Sequence, residues 1–128
     1  MILFDTVALL RWLRGPAHLG PAVQAALQTQ TLPTPLHVSI ASIWEVAIKA
    51  ATGKLPTPAD FLTRVQGFPE FMLLSIKPAH AWRVRSLPIF RDHKDPFDRM
   101  LIAQALEENL TIATSDPAFQ RYGVKTIW

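Results

Sequence analysis

The chain has 128 residues, 49% apolar and 18% charged, which suits one domain with a proper core and is too short for two. That balance excludes a disordered chain, and the absence of cysteine excludes a disulfide framework and thiolate metal sites while fitting a reducing cytoplasm. A formal charge of +3 and a pI near 9.7 lean only weakly towards an anionic partner.

Residues 1–5, MILFD, read as a short buried strand closed by an acid. The apolar start does not read as an export signal, because Asp5 and then Arg11 interrupt it and no basic leader precedes it. No stretch reaches the roughly 20 apolar residues of a bilayer span, so no membrane association is expected. TVALLRWLRG (6–15) sets Val7, Leu10 and Leu13, or Leu9 and Trp12, at helical spacing, and Gly15-Pro16 stops it. LGPAVQAALQT (19–29) reads as a second helix, closed by the proline-rich loop LPTP (32–35).

LHVSI (36–40) reads as a second strand, and ASIWEVAIKAATGK (41–54) as a helix with Gly53 at its end. PTPADFLTRVQG (56–67) has the prolines and Asp60 of a helix start. EFMLLSI (70–76) reads as a third strand, PAHAWRVRSL (78–87) as a helix and PIFRDHK (88–94) as a basic loop. A long helix runs from Pro96 to Asn109. LTIATSD (110–116) is then a fourth strand ending on an acid, PAFQRY (117–122) a single turn and VKTIW (124–128) a fifth short strand. Strands alternating with helices predict an α/β fold: a parallel sheet covered on both faces, in one domain over residues 1–128. The near-continuous apolar runs of strands one, two and four agree with that.

In such a sheet the ligand sits beyond the carboxyl ends of the strands, where strand order reverses. Asp5 ends strand one and Asp116 ends strand four. Asp95 and Asp98 open the long helix, and Glu45 lies in the first turns of the helix after strand two. Most of these acids have an ordinary alternative. Asp95-Pro96 and Asp116-Pro117 are good N-cap pairs, and Asp98 is a favourable third-position acid. Ser42 with Glu45 spells a capping box, and Glu45 with Lys49 is an i,i+4 pair.

Asp5 is the acid least explained in that way, since an unpaired carboxylate behind a buried strand costs several kcal/mol or must take up a proton. Four carboxylates meeting at one sheet edge would repel, and a divalent cation removes the repulsion. Oxygen donors without cysteine point to Mg²⁺ or Mn²⁺, which acidify water and steady the charge of a phosphodiester. The basic residues Arg83, Arg85, Arg91, His93, Lys94 and Arg99 would suit a phosphate backbone. They read equally well as a solvated loop.

ILFDTVALL, SIWEVAIKAATGKL, KDPFDRMLIAQA and TIATSDPAFQRYGV, in that order and over almost the whole chain, resemble a PIN-domain protein. The resemblance is to a VapC-type toxin of a bacterial or archaeal toxin–antitoxin pair. It implies a three-layer α/β/α fold with sheet order 3-2-1-4-5 and Mg²⁺- or Mn²⁺-dependent endoribonuclease activity on RNA. It also implies a cognate VapB-like antitoxin and a homodimer. Position by position, Asp5, Glu45, Asp98 and Asp116 match the four acids of the family's site, and Thr114 matches a frequent hydroxyl beside it. Asp95 is an additional acid, expected to cap the helix or stand behind the ligands. The chain departs from close relatives at Val7 and Arg11, where a His or Ser and a Trp are frequent.

Two rival readings remain. A phospho-receiver domain needs a phosphorylatable aspartate after strand three, and FMLLSIKP supplies none. A PIN fold that binds RNA or a partner without cutting would also keep this architecture, although all four acids are present. Trp12 and Trp44 fall among helical apolar positions and are expected in the core or under a partner, with the antitoxin as the family's cover for Trp12.

Overall fold

Ile2, Leu3 and Phe4 form the central strand β1 (Ile2–Phe4) of the computed structural model, which describes residues 1–29 and 35–128. Ile2 and Phe4 enter one apolar core and Leu3 the other, the two-residue alternation of a strand buried on both faces. The first core is completed by α1 (Thr6–Arg14), α2 (Pro21–Gln28), α3 (Ile40–Ala51) and α4 (Phe61–Gly67), through residues such as Leu9, Val23, Val46 and Val65. The second lies under the long helix α6 (Pro96–Glu108), where Leu101 and Ile102 meet Leu3, Ile112 and Phe119. Each large side chain fully buried here is worth about 1.5–3 kcal/mol.

β2 (Leu36–Ser39), β3 (Phe71–Leu74), β4 (Thr111–Ala113) and β5 (Thr126–Ile127) complete one five-stranded sheet in the order β3-β2-β1-β4-β5. Every pairing is parallel. Order and layering are those the resemblance implied. The register Phe4↔Ala113 brings the carboxyl ends of β1 and β4 together. No helix among the described residues is long and apolar enough to cross a membrane.

The local readings hold with adjustments. The helix expected over 78–87 is α5 (Pro78–Arg83) followed by a 3-10 turn at Val84–Ser86, so its end tightens where Leu87 N–H bonds the Val84 carbonyl. Further 3-10 turns occupy Pro16–His18 and Pro117–Tyr122. Gly53, with φ +69, closes α3 as expected: its N–H reaches Ala50 O and that of Lys54 reaches Lys49 O. The Ser42–Glu45 capping box is not formed. α3 starts at Ile40, Ser39 is its N-cap and accepts from Ala41 N–H, so Ser42 falls inside the first turn. The loop LPTP lies almost wholly at 30–34, outside the described residues.

Candidate metal centre

β1 delivers Asp5. Its N–H donates to Ala113 O at 3.1 Å, which extends the β1–β4 ladder by one step, and its Oδ1 accepts from Ala8 N–H at 2.7 Å. Asp5 is thus also the N-cap of α1, an ordinary role that strand-end reasoning did not foresee. Burial pushes its carboxyl above the usual aspartate range. The Thr114 hydroxyl and Ala8 N–H oppose that rise, while the charges of Glu45 and Asp116 add to it.

Glu45 projects from α3 into the same region and is buried. Thr6 Oγ1 donates to its Oε1, and Lys49 Nζ pairs with its Oε2, each at 2.5 Å. The i,i+4 pair expected from sequence is therefore present, and Glu45 holds the Lys49 ammonium above its ordinary pKa. The Thr6 hydroxyl also lies 3.1 Å from Ser42 Oγ. Asp116 caps the 3-10 turn after β4 through Ala118 N–H at 2.9 Å, and its own N–H bonds buried Thr114 Oγ1 at 3.1 Å.

The two acids at the start of α6 differ in role. Asp95 Oδ1 accepts from Phe97 N–H at 2.8 Å and Asp98 N–H at 2.9 Å, an N-cap with two backbone donors. Asp98, two residues past Pro96, turns its carboxylate towards His93, whose Nε2 lies 3.1 Å from Oδ2. Burial first, then the charge of Asp95, raises Asp98 to about 7. Glu45 adds to the rise and the His93 contact works against it. The fields of Asp5, Glu45, Asp98 and Asp116 therefore overlap at one edge of the sheet.

His93, Asp98 and Asp116 offer ligand atoms all within 4.8 Å of one another, the one such group of three among the described residues. Asp5 and Glu45 are not members of that mutually close group. The donors are oxygens and one imidazole nitrogen with no thiol, and burial with neighbouring negative charge holds the Asp5 and Asp98 carboxyls above their ordinary pKa. That combination fits a divalent cation.

His93 was not singled out as a site residue in the sequence, where it read as one of a basic cluster. The structure takes that cluster apart. His93 is buried against Tyr122 and Phe119. Arg83 pairs with Glu107, and Arg85 lies over Trp82. Arg99 donates to the Pro88 and Val84 carbonyls, which anchors the segment before the site. Arg91 and Lys94 are exposed and form no salt bridge among the described residues. Trp12 packs on Phe68 and Phe71 in the core, whereas Trp44 is largely exposed with its ring edge on Phe97.

Comparison with curated proteins finds no match. Similar solved structures include FitAcB from Neisseria gonorrhoeae, 20% identical with a TM-score of 0.64 over 100% of this chain and 97% of that one. VapBC2 from Rickettsia felis, bound to a DNA fragment from its promoter, is 14% identical with a TM-score of 0.71, covering 99% and 98%. DNA-bound VapBC from Salmonella typhimurium is 17% identical with a TM-score of 0.69, covering 98% and 96%. At these identities the likeness is one of fold. A sequence model of the PIN domain matches residues 2–125, a span that includes every acid described above. With the 3-2-1-4-5 sheet and acids at the carboxyl ends of β1 and β4, the chain belongs to the PIN domain family.

Proposed function

We propose that this protein is an endoribonuclease that hydrolyses RNA phosphodiester bonds with Mg²⁺ or Mn²⁺, and that it is the toxin of a toxin–antitoxin pair. The observation that carries the reading is the overlap of four carboxylate fields, from four separate segments, beyond the joined ends of β1 and β4. Acids kept together at such a cost to the fold are explained by a cation that offsets their charge. The similar structures lend support, since they are described as FitAB and VapBC proteins and as a toxin–antitoxin complex from Klebsiella pneumoniae.

Asp5, Glu45, Asp98 and Asp116 would hold the ion. When bound, it supplies a Lewis acid for the phosphoryl oxygens and acidifies water beside them. The protein's part is to fix the donors. Ala8 N–H aims Asp5, Thr6 and Lys49 set the two oxygens of Glu45, and Ala118 N–H holds one oxygen of Asp116. Asp95 serves the helix, with Oδ1 fully engaged by backbone donors, and is not a ligand in this reading. Exposed Arg91 and Lys94 remain to meet the phosphate backbone of the RNA. A VapB-like antitoxin restrains the activity, and the active form is a homodimer.

The test is a cleavage assay on total RNA with mapped ends, at saturating Mn²⁺, with DNA of matched length in parallel. Discrete RNA ends and intact DNA are expected. A protein that binds RNA but leaves it intact at every metal concentration would instead be a non-cutting PIN module.

A further inference from the structure

The Tyr122 hydroxyl stands at the junction of three contacts. It donates to the His93 carbonyl at 3.2 Å, lies 2.8 Å from His93 Nδ1, and is 3.4 Å from Arg99 Nη1. A phenol has one proton and two lone pairs, and a guanidinium only donates. Tyr122 thus holds the Nδ1 side of the ring and turns Nε2 towards the acids. An imidazole that gives its Nδ1–H to the phenol oxygen has Nε2 available to bind a metal.

Nε2 lies 3.1 Å from Asp98 Oδ2. Burial of the ring, 8% exposed, limits the water that could separate them. At that distance the two atoms are joined either by a shared proton or by a cation bound to both. Two ligands held by one ion at about 2.1 Å and at right angles are themselves about 3 Å apart, which is the spacing found here. The Asp116 carboxylate lies within 4.8 Å of both.

We infer that His93 Nε2 is a direct ligand of the divalent ion, beside Asp98 and Asp116, and that this mixed nitrogen–oxygen set favours Mn²⁺ over Mg²⁺. The inference rests on the metal-dependent reading above. Imidazole suits first-row transition ions, whereas Mg²⁺ prefers oxygen and keeps its water. Tyr122 is then a positioning residue: it takes the ring's other N–H, the outer contact that orients a metal-bound histidine. Arg99 steadies Tyr122 from the far side.

The test loads the full-length protein with Mn²⁺ and reads nitrogen coupling to the ion by pulsed electron paramagnetic resonance, with Mn²⁺ and Mg²⁺ affinities measured by calorimetry. The wild type is expected to show one directly coordinated ¹⁴N that changes to a ¹⁵N pattern when only histidine is labelled. His93→Asn keeps an amide near the Nδ1 position to meet Tyr122 but has nothing at Nε2. It should lose the coupling and at least about tenfold in Mn²⁺ affinity, with much less change for Mg²⁺. Tyr122→Phe should keep the coupling and bind Mn²⁺ about 10–100-fold more weakly. A wild-type Mn²⁺ spectrum without histidine nitrogen overturns the inference and leaves the proposed nuclease standing, with a shared proton between His93 and Asp98. Failure to bind either ion overturns both. Because the labelled wild type decides the point, misfolding of a variant would not leave it open.

Discussion

Replacing Asp98 by asparagine is expected to make the metal-free protein more stable at pH 8 and to leave it nearly unchanged near pH 4. Burial and the charges of Asp95 and Glu45 raise the Asp98 carboxyl from 3.8 to about 7 in the fold. A raised folded-state pKa means that the fold, and not the unfolded chain, holds the proton between those values. The group's contribution is therefore intact below about pH 4, is lost progressively as pH climbs, and stays lost above about pH 7. At about 1.4 kcal/mol per pKa unit the ceiling is roughly 4 kcal/mol, and the 24% exposure of the side chain reduces this to about 2–4. Against it stands the favourable interaction of an acid at the third position of α6 with the helix dipole, worth about 0.3–1 kcal/mol. Burial wins, for a net gain on the order of 1–3 kcal/mol. Urea unfolding in EDTA at the two pH values reads it directly, as a midpoint shift on the order of 1 M at pH 8. Equal midpoints at pH 8, or an equal gain at pH 4, would refute the electrostatic reasoning. Added Mn²⁺ should reverse the ranking, because an ion bound only to the native wild type stabilises it by about 4 kcal/mol at a thousandfold excess over Kd.

Asp95→Asn should change stability and cleavage little, since asparagine caps about as well as aspartate, whereas Asp95→Ala should cost about 1 kcal/mol in thermal unfolding; a cleavage loss in Asp95→Asn as deep as in Asp98→Asn would put Asp95 in the metal site. Asp5→Asn should lower nuclease activity by orders of magnitude while stability in EDTA holds or rises, because burial raises this carboxyl too; full activity with excess Mg²⁺ would remove Asp5 from the ligand set. Gly20→Ala tests the packing of α2, because a Cβ there would come within 2.4 Å of the Trp128 backbone carbon, whose carbonyl accepts from Ala22 N–H at 2.7 Å. A loss of about 1–3 kcal/mol is expected by calorimetry, and an unshifted melting temperature would show that the contact relaxes freely.

The strands and acids were legible because both signals are local. An apolar run followed by an acid places Asp5 and Asp116 at strand ends, and Asp-Pro spacing marks the caps at Asp95 and Asp116. Sheet order was not legible from periodicity and came with the family resemblance. The cap of α3 was misplaced because Ser39 and Ser42 are both plausible by type, and the choice depends on where β2 ends. His93 was misread for a long-range reason: its partner Tyr122 is 29 residues away, so its burial is a tertiary fact. Its five-residue distance from Asp98 was the one local hint. The apparent basic cluster failed similarly, since Arg83 and Arg99 find their partners across the fold.

The most direct test of the central claim is cleavage of a defined RNA by the purified protein, with Mn²⁺ or with EDTA, for the wild type and for Asp5→Asn and Asp98→Asn shown by circular dichroism to be folded. The account predicts discrete cleavage by the wild type only with the ion present, and losses of orders of magnitude in both variants. Cleavage that survives EDTA, or that persists in folded Asp5→Asn and Asp98→Asn, would contradict it.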